Sequence, residues 1–115
     1  MSLCNQLPWS IGTIDLSGRV LAAPMAGVSD RIFRTLARHH GATLAPSEMV
    51  ATEPQLRGSQ KTCQRMNHLG EPGPISIQLL GANPRHMAAA ARYSVDQGAQ
   101  LIDINMGCPA KKVCK

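Results

Sequence analysis

Within five residues, Asn105-Met106-Gly107-Cys108-Pro109 brings together a side-chain amide, a glycine, a thiol and a proline. Gly107 permits close backbone approach to a flat ligand, and Pro109 stiffens the turn that would aim the Cys108 side chain. A thiol of ordinary pKa, about 8.5, is mostly protonated near neutrality and can give up its proton as a general acid. The basic pair Lys111-Lys112 would instead favour a thiolate and a nucleophilic role, so residue types alone leave both roles open. The structural alternative is a small buried cysteine on a loop. A second segment, Ala23-Pro24-Met25-Ala26-Gly27, combines small residues with a proline and a glycine, which suits a backbone passing close to a planar ring. A plain strand-to-helix turn has the same composition. Gln78 is a third candidate: it is the polar side chain between Ile77 and Leu79, and a buried amide needs a partner, either a ligand or a neighbouring backbone group.

Other reactive side chains receive no role. Arg31, Arg34 and Arg38 recur at spacings of three and four, opposite Ile32, Phe33 and Leu36, the pattern of a solvated helix surface. His39, His40, His68 and His86 have no metal-ligand spacing, and Cys4, Cys63, Cys108 and Cys114 form no Cys-x-x-Cys pair, so no metal site is expected. The chain carries 12 Lys plus Arg against 7 Asp plus Glu, a net charge of +5 with His neutral. That excess is compatible with a polyanionic partner, although it is spread along the chain. Neither an amino-terminal export signal nor a membrane-length apolar stretch is legible, and a cytoplasmic protein with reduced thiols is expected.

The elements that would position these residues follow a strand-then-helix rhythm. Ile11, Leu16, Val20 and Leu21 flank the turn-forming pair Ser17-Gly18, predicting a hairpin that leads into a buried strand at Val20 to Ala23. Ser29 is the expected cap of a helix through Ile32, Phe33, Leu36 and Ala37, with Gly41 as its stop. A second strand is predicted at Ala42 to Pro46, followed by a Ser47-Glu48-Met49 loop and a helix around Gln60 to Met66. Ile75, Ile77, Leu79 and Leu80 predict a third strand between Pro72-Gly73-Pro74 and Gly81. Asn83 caps and Pro84 opens a helix through Met87, Ala90, Ala91 and Val95 that stops at Gly98. Leu101 to Asn105 is the fourth strand.

Strand and helix in alternation imply right-handed crossovers and a parallel sheet, hence an α/β fold. A compact doubly wound sheet fits 115 residues, whereas a (β/α)8 TIM barrel takes about 250. The sequence stops just after a strand, which favours the first half of a barrel, about four parallel strands with their intervening helices, over a finished small domain.

Taken in order, Ala22-Ala23-Pro24-Met25-Ala26-Gly27-Val28-Ser29-Asp30, Ser47-Glu48-Met49, Ile77-Gln78-Leu79 with Gly81, and Asp103-Ile104-Asn105-Met106-Gly107-Cys108-Pro109-Ala110-Lys111-Lys112-Val113 resemble the bacterial-type branch of the tRNA-dihydrouridine synthase family. The resemblance runs from about Ile11 to Val113. It implies an FMN-binding (β/α)8 barrel followed by a helical tRNA-binding domain, reducing selected uridines of tRNA to dihydrouridine with NADPH or NADH. Pro24, Met25 and Ala26 would then line the FMN, Gln78 would hydrogen-bond the isoalloxazine, Asn105 would contact the uracil, and Cys108 would protonate C5 after hydride reaches C6. The family's later motifs, a lysine and a histidine at the flavin and glycine-rich segments for its phosphate, have no counterpart in residues 1–115. The expectation is that these residues are the amino-terminal part of the barrel, with open sheet edges, and that alone they neither retain FMN nor reduce tRNA. Two other readings stay open: an FMN barrel acting on a free pyrimidine or another activated alkene, and a non-catalytic truncated product that binds RNA through its basic residues.

Overall fold

The computed structural model describes residues 9–108, so Cys4, Pro109, Lys111, Lys112, Val113 and Cys114 lie outside the described residues. A hairpin opens the described chain, β1 (Trp9–Ile11) running antiparallel to β2 (Ile14–Leu16) with Trp9 opposite Leu16. Its turn falls at Gly12-Thr13 and not at Ser17-Gly18, as expected from sequence. Gly12 has φ +58° at the first central position, where a two-residue hairpin turn favours glycine. Gly18 instead serves as an anchor: its carbonyl accepts from Trp9 Nε1 at 2.6 Å and its N–H donates to Thr43 Oγ1 at 3.2 Å.

The strand predicted at Val20 to Ala23 is reduced to one parallel bridge, Leu21 with Leu44, held by Thr43 N–H to Val20 O at 2.8 Å and Ala22 N–H to Leu44 O at 2.9 Å. It is not buried, for Val20 is 68% exposed and Leu21 is exposed as well. Among the described residues its one β-bridge is to Leu44. The strand predicted at Ala42 to Pro46 is likewise represented by Leu44 in that bridge, with Leu44 and Ala45 buried. Pairing then resumes where a loop had been expected to continue, in the two-residue β3 (Val50–Ala51).

Strands β3, β4 (Ser76–Leu80) and β5 (Leu101–Ile104) form a three-stranded parallel sheet among the described residues, in that order. Val50 stands beside Leu79, and β5 is in register with β4 from Ser76 beside Leu101 to Leu79 beside Ile104. The period of two along β4 divides the molecule. Ile75, Ile77 and Leu79 point to the helical side, where they form the core with Val50, Met66, Ala90 and Ala99. Ser76 and Gln78 point to the other face. Ile77 and Leu79 are essentially sealed from solvent, each contributing roughly 1.5–3 kcal/mol of burial.

Helix α1 (Arg31–His39) is capped by Asp30, whose side chain accepts from Phe33 N–H at 2.8 Å. Ser29, the expected cap, is buried in the preceding turn, where its Oγ accepts from Met25 N–H at 2.8 Å. The arginine side of α1 is also not the solvated face that its spacing suggested. Arg34 is 2% exposed and pairs with Glu71 at 2.9 Å, while Ile32 and Leu36 are 64% and 54% exposed. The reason is a cluster of acceptors on that side: Arg34 donates to Ser29 O and Asn67 O, Arg31 to Leu69 O, and Arg38 to Gly73 O and Pro74 O.

Helix α2 (Gln60–Met66) is capped by Ser59, and α3 (Pro84–Asp96) has Asn83 as its cap and Pro84 at its start, as expected; the carbonyl of Asn83's side chain accepts from both Arg85 and His86 N–H. Gly98 follows α3 at φ +106°. At the end of β4, a Cβ on Gly81 would lie 1.8 Å from Thr52 Oγ1 and 3.0 Å from Thr52 Cβ, and Thr52 is buried. Gly81→Ala is therefore expected to cost about 1–3 kcal/mol of stability by overpacking, measured by urea unfolding. An unchanged midpoint would mean that the end of β4 yields more readily than this packing allows.

Candidate active site

All parallel strands present their carboxyl ends to one edge of the sheet, so the loops leaving them converge there whatever their separation in sequence. The turn at Pro24 to Ser29 leaves the first bridge, Ser47 to Met49 lies between the Leu44 bridge and β3, Gln78 sits in β4, and Asn105 to Cys108 leave β5. A cavity of about 200 Å3 at this edge is lined by Pro24, Ala26, Met49, Gln78, Asn105, Gly107 and Cys108. Pro24, Ala26, Gln78, Asn105 and Cys108 were each singled out from sequence, and one cavity unites them. Met25, grouped with Pro24 and Ala26 from sequence, does not line it. Its side chain is exposed, and its carbonyl accepts from Val28 and Ser29 N–H at 3.1 and 2.9 Å, which closes the turn.

A directed chain of hydrogen bonds crosses the base of the cavity. Gln78 Nε2 donates to Asp103 Oδ2, Asn105 Nδ2 donates to Gln78 Oε1 at 3.2 Å, and Gly107 N–H donates to Asn105 Oδ1 at 3.0 Å. Gln78 is 7% exposed, so these bonds meet the requirement that a buried amide be satisfied. Register explains the meeting, since Gln78 stands directly beside Asp103 and Asn105 follows two residues later on the same face. The backbone of Gln78 is held too, its N–H donating to Ser47 Oγ at 3.0 Å, with Ser47 wholly buried.

Glu48 and Arg65 join the loops above the sheet. Gly27 N–H donates to Glu48 Oε1 at 2.6 Å, Arg65 lies 3.8 Å from the same oxygen, and Arg65 Nη1 donates to Met49 O at 2.6 Å. Helix α2 thereby fixes the loop that carries Met49, and Glu48 fixes the glycine after Ala26. Ser47, Glu48, Met49 and Asp103 were given no role from sequence. For Asp103 the signal was its even spacing with Asn105 on one strand face, which acquires meaning only once β4 and β5 are in register.

Cavity size is a poor guide to the chemistry here. A larger groove of about 520 Å3 lies against α2 and α3, lined by Arg57, Cys63, Met66, His68 and Tyr93 among others, and receives no residue from the strand-end loops at Pro24, Gln78 or Asn105. Another, about 740 Å3, shares Ala26 with the strand-end cavity and is lined by Gly27 and Glu48 together with the cationic Arg31, Lys61 and Arg65. Among the described residues no group of three or more His, Cys, Asp or Glu is placed to hold a metal ion, and no helix is long and apolar enough to cross a membrane.

Residues 20–115 match the family model described as Dihydrouridine synthase (Dus). Curated proteins named tRNA-dihydrouridine synthase B are similar over nearly the whole chain. The one from Xanthomonas axonopodis pv. citri is 57% identical over 104 residues, 90% of this chain and 31% of that protein. Those from Vibrio vulnificus and Escherichia coli K12 are each 54% identical, over 105 and 103 residues, covering 91% and 90% of this chain and 33% and 32% of theirs. The chain thus spans about a third of the length of the curated relatives it matches.

Proposed function

The chain belongs to the dihydrouridine synthase family, and from that premise we propose that it supplies the opening strands of a (β/α)8 TIM barrel that holds FMN and reduces uridines of tRNA to dihydrouridine with NADPH or NADH. The observation that carries this reading is the meeting of Pro24, Ala26, Gln78, Asn105 and Cys108 in one cavity at the carboxyl edge of a parallel sheet. Exposed Ile32 and Leu36 on α1 and exposed Ile104 on β5 support a chain that continues around a barrel, because apolar surface of this kind is stable only when covered.

The cavity suits the edge of a flat heteroaromatic ring. Pro24, Ala26 and Gly107 add little side-chain bulk at its wall, and Gln78 sets an amide donor at its base. Pro24, Ala26 and Gln78 would hold the isoalloxazine, with Met25 shaping the turn that carries them. FMN supplies, when bound, a hydride drawn from the nicotinamide. Asn105 orients the uracil. Hydride added at C6 of the uracil leaves an enolate whose C5 needs a proton, and the Cys108 thiol at the rim holds that proton. The acid role agrees with the chemistry that the uracil requires. Arg31, Lys61 and Arg65 beside the adjoining groove support approach of a polyanion such as tRNA, and the target nucleotide has to leave its stack to enter.

The test is genetic. The chain, put in place of the matching third of the Escherichia coli relative and expressed in cells without their own dihydrouridine synthases, is expected to return dihydrouridine to tRNA, read by nucleoside mass spectrometry. A soluble, FMN-loaded product that leaves tRNA uridines untouched would refute the proposal.

A further inference from the structure

We infer that Asp103 is a positioning residue that sets the direction of the Gln78–Asn105 amide chain and thereby turns the cavity into a hydrogen-bond donor, selecting a pyrimidine that presents carbonyl oxygens over one that presents an exocyclic amino group. The inference rests on the reading of this cavity as the uracil site and adds to it the group that decides which face of each amide the ligand meets.

A primary amide is nearly symmetric in shape, so its orientation follows from its partners. Asp103 can only accept as a carboxylate, and the Gly107 backbone N–H can only donate. These two ends impose one direction on everything between them. Gln78 must turn Nε2 to Asp103 and Oε1 to Asn105; Asn105 must turn Nδ2 to Gln78 and Oδ1 to Gly107. Reversal would set an amide oxygen against the carboxylate at one end and an amide N–H against a backbone N–H at the other. Each amide oxygen is committed to a donor within the chain, whereas each amide nitrogen keeps one hydrogen to spare. Gln78 and Asn105 line the cavity, so those spare hydrogens are what a bound ring finds; Asp103 is not among the lining residues and acts through them.

The two ends are unequal. The Gly107 bond is solvent-exposed, and the Asp103 bond is part-buried and charge-assisted, the stronger kind. Losing the carboxylate therefore removes the main determinant of direction. The donor at Asn105 matches a carbonyl oxygen of uracil, which becomes the enolate oxygen when hydride adds, and opposes the amino group of cytosine, while the donor at Gln78 matches an acceptor on the edge of the isoalloxazine.

Asp103→Asn keeps the shape and abolishes the obligatory acceptor. In the FMN-loaded graft described above it is expected to retain flavin and thermal midpoint, to shift the visible spectrum of bound FMN, and to lower kcat for uridine reduction about 10- to 100-fold with KM for tRNA nearly constant. A spectrum and kcat equal to the parent's would overturn the inference. So would a fall in thermal midpoint and flavin content that accounts for the whole loss of activity. A second measurement uses only the parent protein, by 15N-detected hydrogen exchange of the Gln78 and Asn105 side-chain NH2 groups. One protected and one fast-exchanging hydrogen in each pair is expected, and equal exchange within both pairs would overturn the directed chain. A parent graft inactive on tRNA would sink the functional reading alone, because the exchange pattern needs no turnover.

Discussion

In the FMN-loaded graft, replacing Cys108 by alanine is expected to lower dihydrouridine formation by about 100- to 10,000-fold, the usual worth of a positioned general acid, while NADPH still reduces the bound FMN at the parent rate. The two half-reactions separate because the thiol is required only after hydride has reached the uracil. Cys108 lines the strand-end cavity on the loop that follows Gly107, and the role proposed for it there is to give a proton to C5. Stopped-flow reduction followed by addition of tRNA reads both steps in one experiment. Serine in the same place presents a weaker acid in nearly the same position and should restore little. Equal loss in both half-reactions would mean that the substitution disturbs the flavin and not the proton transfer.

The second large effect concerns stability. Arg34 and Glu71 are 2% and 4% exposed at their side chains, and the guanidinium meets both carboxylate oxygens, Nε at 2.9 and 3.2 Å and Nη2 at 3.0 Å. Removing one partner of such a buried pair costs about 3–5 kcal/mol, mainly because the other is left uncompensated. Glu71→Ala is expected to lose this amount in urea unfolding. Arg34→Met should lose a similar amount, and the double variant should cost clearly less than the two together. Full additivity would show that the two groups stabilise the fold independently. The consequence reaches the site, because Arg34 also donates to Ser29 O at 2.9 Å and so holds the turn that carries Pro24 and Ala26.

That pair marks where sequence reasoning stops. Three arginines at helical spacing opposite an apolar stripe describe a solvated face when the helix is considered alone. Apart from Ser29 O in the preceding turn, Glu71 and the carbonyls that receive the arginines stand more than one element away, and nothing local announces them. The exposed Ile32 and Leu36 are the other half of the same finding: periodicity identifies a helix but not which side faces the rest of the molecule. The turn between β1 and β2 failed for a different reason. Gly12-Thr13 and Ser17-Gly18 are both turn-forming pairs, and only the pairing of Trp9 with Leu16 decides between them.

What was legible depended on rules that act across the whole sheet. Apolar alternation in Ile75 to Leu80 fixed β4, Asn83-Pro84 and Gly98 bounded α3 to within a residue or two, and strand-helix alternation fixed the parallel order. A parallel sheet gathers its carboxyl-end loops without regard to sequence distance, which is why the Pro24 and Cys108 loops are legible together, while the places of Gln78 and Asn105 beside them follow from the family resemblance. Asp103 escaped because its importance lies in register. It flanks neither a glycine nor a proline, and Ile102 and Ile104 make its strand read as ordinary core.

The proposed function requires that the cavity at the strand ends be a site where a uridine of tRNA accepts hydride. Its most direct test is the reoxidation of reduced flavin in the FMN-loaded graft, followed at the flavin band under anaerobic conditions. Reoxidation by tRNA lacking dihydrouridine, with none by tRNA already modified and none by free uracil or uridine, is the predicted result. Reoxidation by the free base with indifference to tRNA would contradict the account and make the protein a reductase of small pyrimidines.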